Sequence, residues 1–312
     1  MSLDVLKLSM AFMVVGLHAG FLNDFTSLGH YLTVNGLFRL AVPVFLIING
    51  YYFSDVLLKG GCLKWFKRIV VLYFFWMFVY SVFWFELTDY SVREMARLLF
   101  KFLIGYHHLW YVSGMIGAAL ILVLLRNRSS TFLLTSIFIT FLSGVLIQYI
   151  GNYHYFVGGI VDKLFNLTWM HRNAVLFSYP FFCLGYLIKK NEFYKKFDRN
   201  KLYLIVILGF VFIFTESYYN FSRNAGAFDN YLSLIFVAPA IFLFFNNLSV
   251  VGSGKSISLY SSSIYFIHSF VLSLLVYYTG AESTLLTFYC IVFSLLLSKI
   301  ILKIHERFRF IL

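Results

Sequence analysis

The sequence predicts an all-α polytopic membrane protein, and three observations carry that expectation. Of the 312 residues, 61% are hydrophobic and only 12% are charged, whereas soluble domains carry about 25% charged residues. Apolar runs of about 20 residues, the length that crosses a bilayer, recur from one end of the chain to the other. Aromatic residues reach 21%, which suits lipid-facing positions and interfacial belts. A water-soluble fold cannot cover this much apolar surface. A bilayer can, because its tails are as apolar as the side chains, provided that each backbone polar group is satisfied within a helix.

Taken in order, the candidate spans are 5–22, 37–58, 69–87, 107–125, 131–150, 174–189, 202–219, 228–246, 259–279 and 282–302. That is about ten. The run at 174–189 is short and contains Pro180, which makes it a weaker span. The stretch 91–106 is amphipathic and carries Arg93, Glu94, Arg97 and Lys101, so it is placed on the membrane surface. The first run starts almost at once and lacks an Ala-x-Ala site, so it reads as a retained first helix rather than a cleaved leader. No linker separates a second domain, and residues 1–312 are read as one membrane domain.

The net charge of +12 would suggest nucleic acid in a soluble protein. Here Lys and Arg fall between apolar runs, so membrane topology is the better explanation and no nucleic-acid partner is expected. With the N-terminus inside, most of them face the cytoplasm. The Lys189–Lys196 cluster marks the clearest inner loop, and N-in/C-in requires an even number of spans. Cys62, Cys183 and Cys290 have neither metal-type spacing nor an even count, which argues for free thiols.

Ionisable groups inside spans are costly and call for a partner or a role. In the first helix, Lys7 and His18 are eleven residues apart and point the same way to within about 20°. Asp4 lies about 40° from His18 on that face, and the imidazole sits about 16 Å beyond the amine. Gly16 and Gly20 flank His18 in a Gly-x-x-x-Gly pattern that permits close approach. An interfacial Asp4–Lys7 pair with a hydrogen-bonded His18 is the competing structural account. Arg39 precedes Pro43 by four residues, so the proline frees the Arg39 carbonyl beside a guanidinium. Asn49-Gly50-Tyr51 follows and reads most simply as a packing notch. Tyr106 to Tyr111, with His107, His108 and Trp110, fits an interfacial belt. Adjacent histidines diverge by about 100° on a helix, so no metal site is expected there. Arg172 precedes the sixth span. Glu216 is expected to pair with Arg172, Arg223 or Arg39. His268 lies within the ninth span and serves equally well as an interhelical hydrogen-bonding group.

In this order these residues resemble the acyltransferase type 3 family of polytopic membrane proteins. The resemblance rests on Lys7 with His18, on Arg39 with Pro43, on Asn49-Gly50-Tyr51, on His108-Leu-Trp-Tyr, on Arg172-Asn173 through Pro180 to Gly185-Tyr186, and on Ile264-Tyr-Phe-Ile-His268. It covers essentially the whole chain. Lys7 stands where an arginine is commoner and lacks its bidentate fork, and Asn49 stands where a serine is usual. Some longer relatives carry an appended hydrolase-like domain, so the membrane domain is expected to act alone or with a separate partner.

The resemblance implies transfer of an acyl group, usually acetyl, from cytoplasmic acetyl-CoA to a hydroxyl of a surface glycan or lipid-linked sugar, in a bacterial inner membrane. His18 is then the expected base or nucleophile and Arg39 the oxyanion donor. Asp4 and Lys7 would meet the polar part of CoA. Asn49, Tyr51, His108, Trp110, Arg172, Glu216 and His268 form the supporting set. A transporter or glycan flippase, or a structural scaffold, would also show many spans and buried charges.

Overall fold

A computed structural model describes residues 1–248 and 255–312. The chain begins with α1 (Ser2–Ala19), which ends where Gly20 adopts a left-handed conformation and its N–H bonds the Gly16 carbonyl. Next come α2 (Ser27–Val34), a 3-10 turn at Leu37–Leu40, α3 (Ala41–Leu58) and α4 (Cys62–Val79). Three helices follow: α5 (Ser81–Trp84), α6 (Val92–Ile104) and α7 (Trp110–Leu125). The middle of the chain forms α8 (Ser130–Asn152), α9 (Ile160–Phe165), α10 (Thr168–His171) and, after a π turn at Ala174–Ser178, α11 (Tyr179–Lys190). Four helices close the bundle: α12 (Arg199–Ser222), α13 (Leu234–Asn246), α14 (Lys255–Thr279) and α15 (Ser283–Arg307).

Seven helical stretches among the described residues are long and apolar enough to cross a membrane, two of them built on α1 and on α2 with α3. The other three predicted spans are helical but less complete. α4 opens on Lys64, Lys67 and Arg68. The 174–189 run is split between the π turn and α11, and α13 has 13 residues with Pro239 inside it. The amphipathic stretch forms α6 as expected. Ser91 caps it by accepting the Glu94 N–H at 3.2 Å, and only Leu98 is buried.

α1 packs against α14, α15 and α3, which puts its polar face inside the bundle. The tightest approach joins α3 to α11. A Cβ on Gly50 would lie 1.8 Å from the Phe182 carbonyl oxygen, and one on Gly185 would lie 2.0 Å from that of Ile47. The Asn49-Gly50-Tyr51 notch is therefore real and has a partner notch on α11. In lipid no hydrophobic force presses helices together, so such contacts matter more. Gly50→Ala is expected to destabilise the protein by about 1–3 kcal/mol or more, as overpacking does. Thermal unfolding in detergent reads this directly. Gly16 has a different use from the one its pattern suggests, because it seats the Phe38 ring rather than a second helix backbone.

Candidate active site

Four imidazoles converge at the C-terminal end of α1. His18 lies 4.4 Å from His107 and 5.2 Å from His268, centroid to centroid, and His108 lies 4.8 Å from His268. They come from three places: His18 from α1, His107 and His108 from the turn entering α7, and His268 from α14. His107 holds φ at 48°, a left-handed conformation that costs a non-glycine residue of order 1–3 kcal/mol and clusters at functional sites. His18 makes no protein hydrogen bond among the described residues. With His107, Tyr80, Tyr106 and Ser269 it lines a cavity of about 300 Å³.

Ser269 organises the other three rings. Its hydroxyl lies 3.2 Å from His107 Nδ1, 2.9 Å from His108 Nδ1 and 3.2 Å from His268 Nε2. His268 Nδ1 lies 2.7 Å from the Tyr265 carbonyl and must donate to it, which leaves Nε2 as an acceptor. A serine hydroxyl has one proton and two lone pairs. It therefore donates to His268 and accepts from Nδ1–H of His107 and His108. With neutral rings, this arrangement does not use the Nε2 atoms of His107 and His108. Consistently, His108 Nε2 is buried without a partner.

The opposite end of α1 opens on a second cavity, about 180 Å³, lined by Lys7, Asn49, Tyr52, Arg68, Tyr111 and Tyr265 among others. Lys7 donates to Ser258 at 3.1 Å, and its Nζ lies 3.8 Å from Asp4. Asn49 donates to the Tyr111 hydroxyl at 2.7 Å and to the Phe45 carbonyl at 2.8 Å. Tyr265 bridges the two ends: it lines this cavity, and its hydroxyl donates to the His108 carbonyl. Tyr51 does not face the cavity. Its ring packs on Phe242 and Tyr194 with Lys189 above it, and Tyr52, the next residue on the helix, takes the place expected of it.

Arg39 and Arg172 meet on one carboxylate that sequence reasoning overlooked, Asp229. Arg39 forms an ion pair with it, also donating from Nε to the Val34 carbonyl at 3.1 Å and from Nη2 to Asn35 at 2.8 Å. Arg172 reaches Asp229 at 3.3 Å and stacks over Trp110 at 4.8 Å, and His171 Nε2 lies 3.7 Å away. Gln148 fixes the loop by accepting the Asp229 and Asn230 N–H groups at 3.1 and 2.7 Å. Among the described residues Glu216 pairs with no arginine. It accepts from the Leu232 and Ser233 N–H groups at 2.6 and 2.8 Å and from the Tyr149 hydroxyl at 2.5 Å. It thus neutralises the start of α13, where the helix dipole favours an anion.

Burial alone would raise the Asp229 pKa. The Arg172 and Arg39 charges and the His171 contact outweigh it and hold the carboxyl well below the usual carboxylate range. Its unfolded pKa is about 3.9. A depressed folded pKa contributes stability that is complete above the unfolded value and is lost as pH falls through the folded one. Thermal stability in detergent is therefore expected to show no Asp229-dependent change between about pH 5 and 8. Below about pH 4 the advantage of wild type over Asp229→Asn should begin to shrink and go on shrinking as pH falls, which a pH series on both proteins checks.

The structure thus brings His18, His108 and His268 together, with Trp110 nearby under Arg172. It places Asp4, Lys7 and Asn49 at the other end of α1, holds Glu216 by hydrogen bonds at the start of α13, and sets the Tyr51 ring against Phe242 and Tyr194. His107, Ser269, Tyr265 and Asp229 were missed. Asp229 had a signal, since it is the only carboxylate between Glu216 and Glu282. Among the described residues no group of three or more His, Cys, Asp or Glu side chains is placed to hold a metal ion.

The family described as an acyltransferase domain matches residues 2–303. An amino-acid racemase of Enterococcus faecalis is 27% identical over 98% of this chain and 46% of its own length. A serine/alanine racemase of Enterococcus gallinarum is 25% identical over 66% of this chain and 31% of its own. The chain thus spans less than half the length of these curated relatives. No solved structure matches it.

Proposed function

The chain belongs to this acyltransferase family, and on that premise we propose that it moves an acyl group, acetyl foremost, from acyl-CoA to a hydroxyl of a surface glycan or lipid-linked sugar. One observation carries the reading: a single helix, α1, presents Lys7 to one cavity and His18 to another, with Tyr265 between the two ends. A ten-span N-in/C-in arrangement in a bacterial inner membrane puts the Lys7 cavity at the cytoplasmic side. There Lys7 and Arg68 suit the phosphates of the donor, while the acyl arm runs along α1 toward His18.

In this scheme a hydroxyl oxygen attacks the thioester carbonyl carbon as a His18 nitrogen takes its proton. The C–S bond then breaks, the ester forms, and His18 returns the proton to the departing CoA thiolate. The unbonded state of His18 suits this task, because a base already engaged in a protein hydrogen bond would have to break it first. Arg172 shares a cavity with His107 and is joined to Arg39 through Asp229, so positive charge lies near this end of α1, a field that favours the oxyanion as it develops. Since its named N–H groups are held by Asp229, Asn35 and Val34, Arg39 acts through that field rather than by a direct bond.

The relatives' names support a second reading, in which the hydroxyl or the cargo belongs to an amino acid such as serine. Membranes containing the protein are incubated with radiolabelled acetyl-CoA, and glycan and amino-acid fractions are separated. Label in glycan supports the first reading, and label in O-acetylated amino acid supports the second acceptor. Uptake of labelled serine by vesicles without acyl transfer would overturn the enzyme scheme in favour of transport.

A further inference from the structure

The charge count around Asp229 does not balance. Arg39 and Arg172 share one carboxylate, and among the described residues no other acidic side chain pairs with either of them. One positive charge is left over in a poorly hydrated setting, where unpaired charge is costly. Arg172 is the side of the cluster that opens outward, at 29% exposure against 13% for Arg39. It spends only Nη1 on Asp229, and its Nε–H and Nη2–H groups have no protein acceptor among the described residues. The guanidinium lines a cavity of about 330 Å³ together with Lys101, His107, Trp110 and Trp169.

Three features make this cavity a recognition site rather than a gap in packing. Lys101 lines the same space, and among the described residues its only partner is the Trp84 carbonyl at 3.4 Å, with no acidic side chain paired to it. Arg97 does not add to this, because Glu94 binds it through two oxygens. Trp169 is 39% exposed and offers an apolar face. His107 lines this cavity and the His18 cavity alike, so an occupant here lies beside the reacting centre.

We propose that this cavity binds the acceptor through an anionic group, a phosphate or carboxylate held by Arg172 and Lys101, with a ring of the acceptor lying on Trp169 and its hydroxyl directed past His107 toward His18. The proposal rests on the acyl-transfer reading for the direction of the hydroxyl, but the anion site itself does not depend on it. A planar guanidinium with two free N–H groups matches an oxyanion's geometry, and such charge-assisted bonds are roughly twice as strong as neutral ones. Neutral sugars would leave the surplus charge unpaired. The anionic group has two possible sources, the phosphate of a lipid-linked sugar or the acid group of a soluble acceptor.

The test is a binding measurement on the full chain in nanodiscs, read by tryptophan fluorescence and independent of catalysis. Glucose, glucose 6-phosphate and inorganic phosphate are titrated in phosphatidylcholine discs. Glucose 6-phosphate is expected to bind at least tenfold more tightly than glucose, and more weakly as salt rises. Lys101→Gln, which disturbs a single carbonyl contact, is expected to weaken sugar-phosphate binding about tenfold and leave glucose unaffected, that being roughly one charge-assisted bond. Arg172→Gln is expected to act in the same direction, but the lysine variant stands if that protein unfolds. Discs containing phosphatidylglycerol distinguish the sources. Competition supports a lipid phosphate as the natural occupant, and its absence supports a soluble acid. Equal binding of glucose and its phosphate, or no response to Lys101→Gln, would overturn the proposal. Anion-selective binding without any acyl transfer would leave the site standing and remove the catalytic reading instead.

Discussion

Replacing His18 by alanine is expected to lower acyl transfer by about 10²- to 10⁴-fold, the range for losing a positioned general base. Stability should change little, because His18 gives up no protein hydrogen bond and lines open space. That contrast separates catalysis from folding. A structural His18 would show the reverse, with a lowered unfolding temperature and activity in proportion to folded protein. Pre-steady-state measurements distinguish the two chemical roles. A burst of CoA release before glycan label appears means an acyl-histidine intermediate, and simultaneous release and labelling mean direct transfer. His107, His108 and His268 are expected to be less sensitive individually, because each is already engaged by the Ser269 hydroxyl.

Asp229→Ala is expected to cost about 3–5 kcal/mol of stability, the range for breaking a buried ion pair. The cause is what remains rather than what is removed. Arg39 and Arg172 would face one another without the carboxylate that joins them, and Arg39, the more buried of the two, would be left with its charge uncompensated. Asp229→Asn should fall short of the full loss, since the amide oxygen can still accept one guanidinium N–H. Combining Asp229→Asn with Arg172→Gln is expected to recover part of the stability, because one of the two unpaired charges is then gone. Thermal unfolding of the single and double variants in the same detergent measures the coupling. Additive losses would mean that the two residues do not act as one unit.

These two residues also show where sequence reasoning succeeds and where it stops. His18 was legible because it lies on one helix with Lys7, and helical spacing alone aligns the two. Asp229 was not, because its partners come from a turn before α3 and from the segment after α10, nearly two hundred residues and about sixty residues away. Glu216 looked like the arginine partner, since a carboxylate in an apolar span demands one. In the fold the start of α13 meets that demand with backbone N–H groups, a source of positive potential that no sequence pattern displays.

The amino-acid sequence by itself determined the all-α membrane architecture, the amphipathic α6 and the polar face of α1. It could do so because composition and local periodicity reflect the solvent each segment must face, one residue after another. Only the tertiary structure decided which histidines meet at Ser269, which carboxylate holds the arginines, and that Tyr52 rather than Tyr51 lines the cavity beside Lys7. Those outcomes depend on helix rotation and on approaches as close as Gly50 against Phe182, which are set by packing between segments distant in sequence.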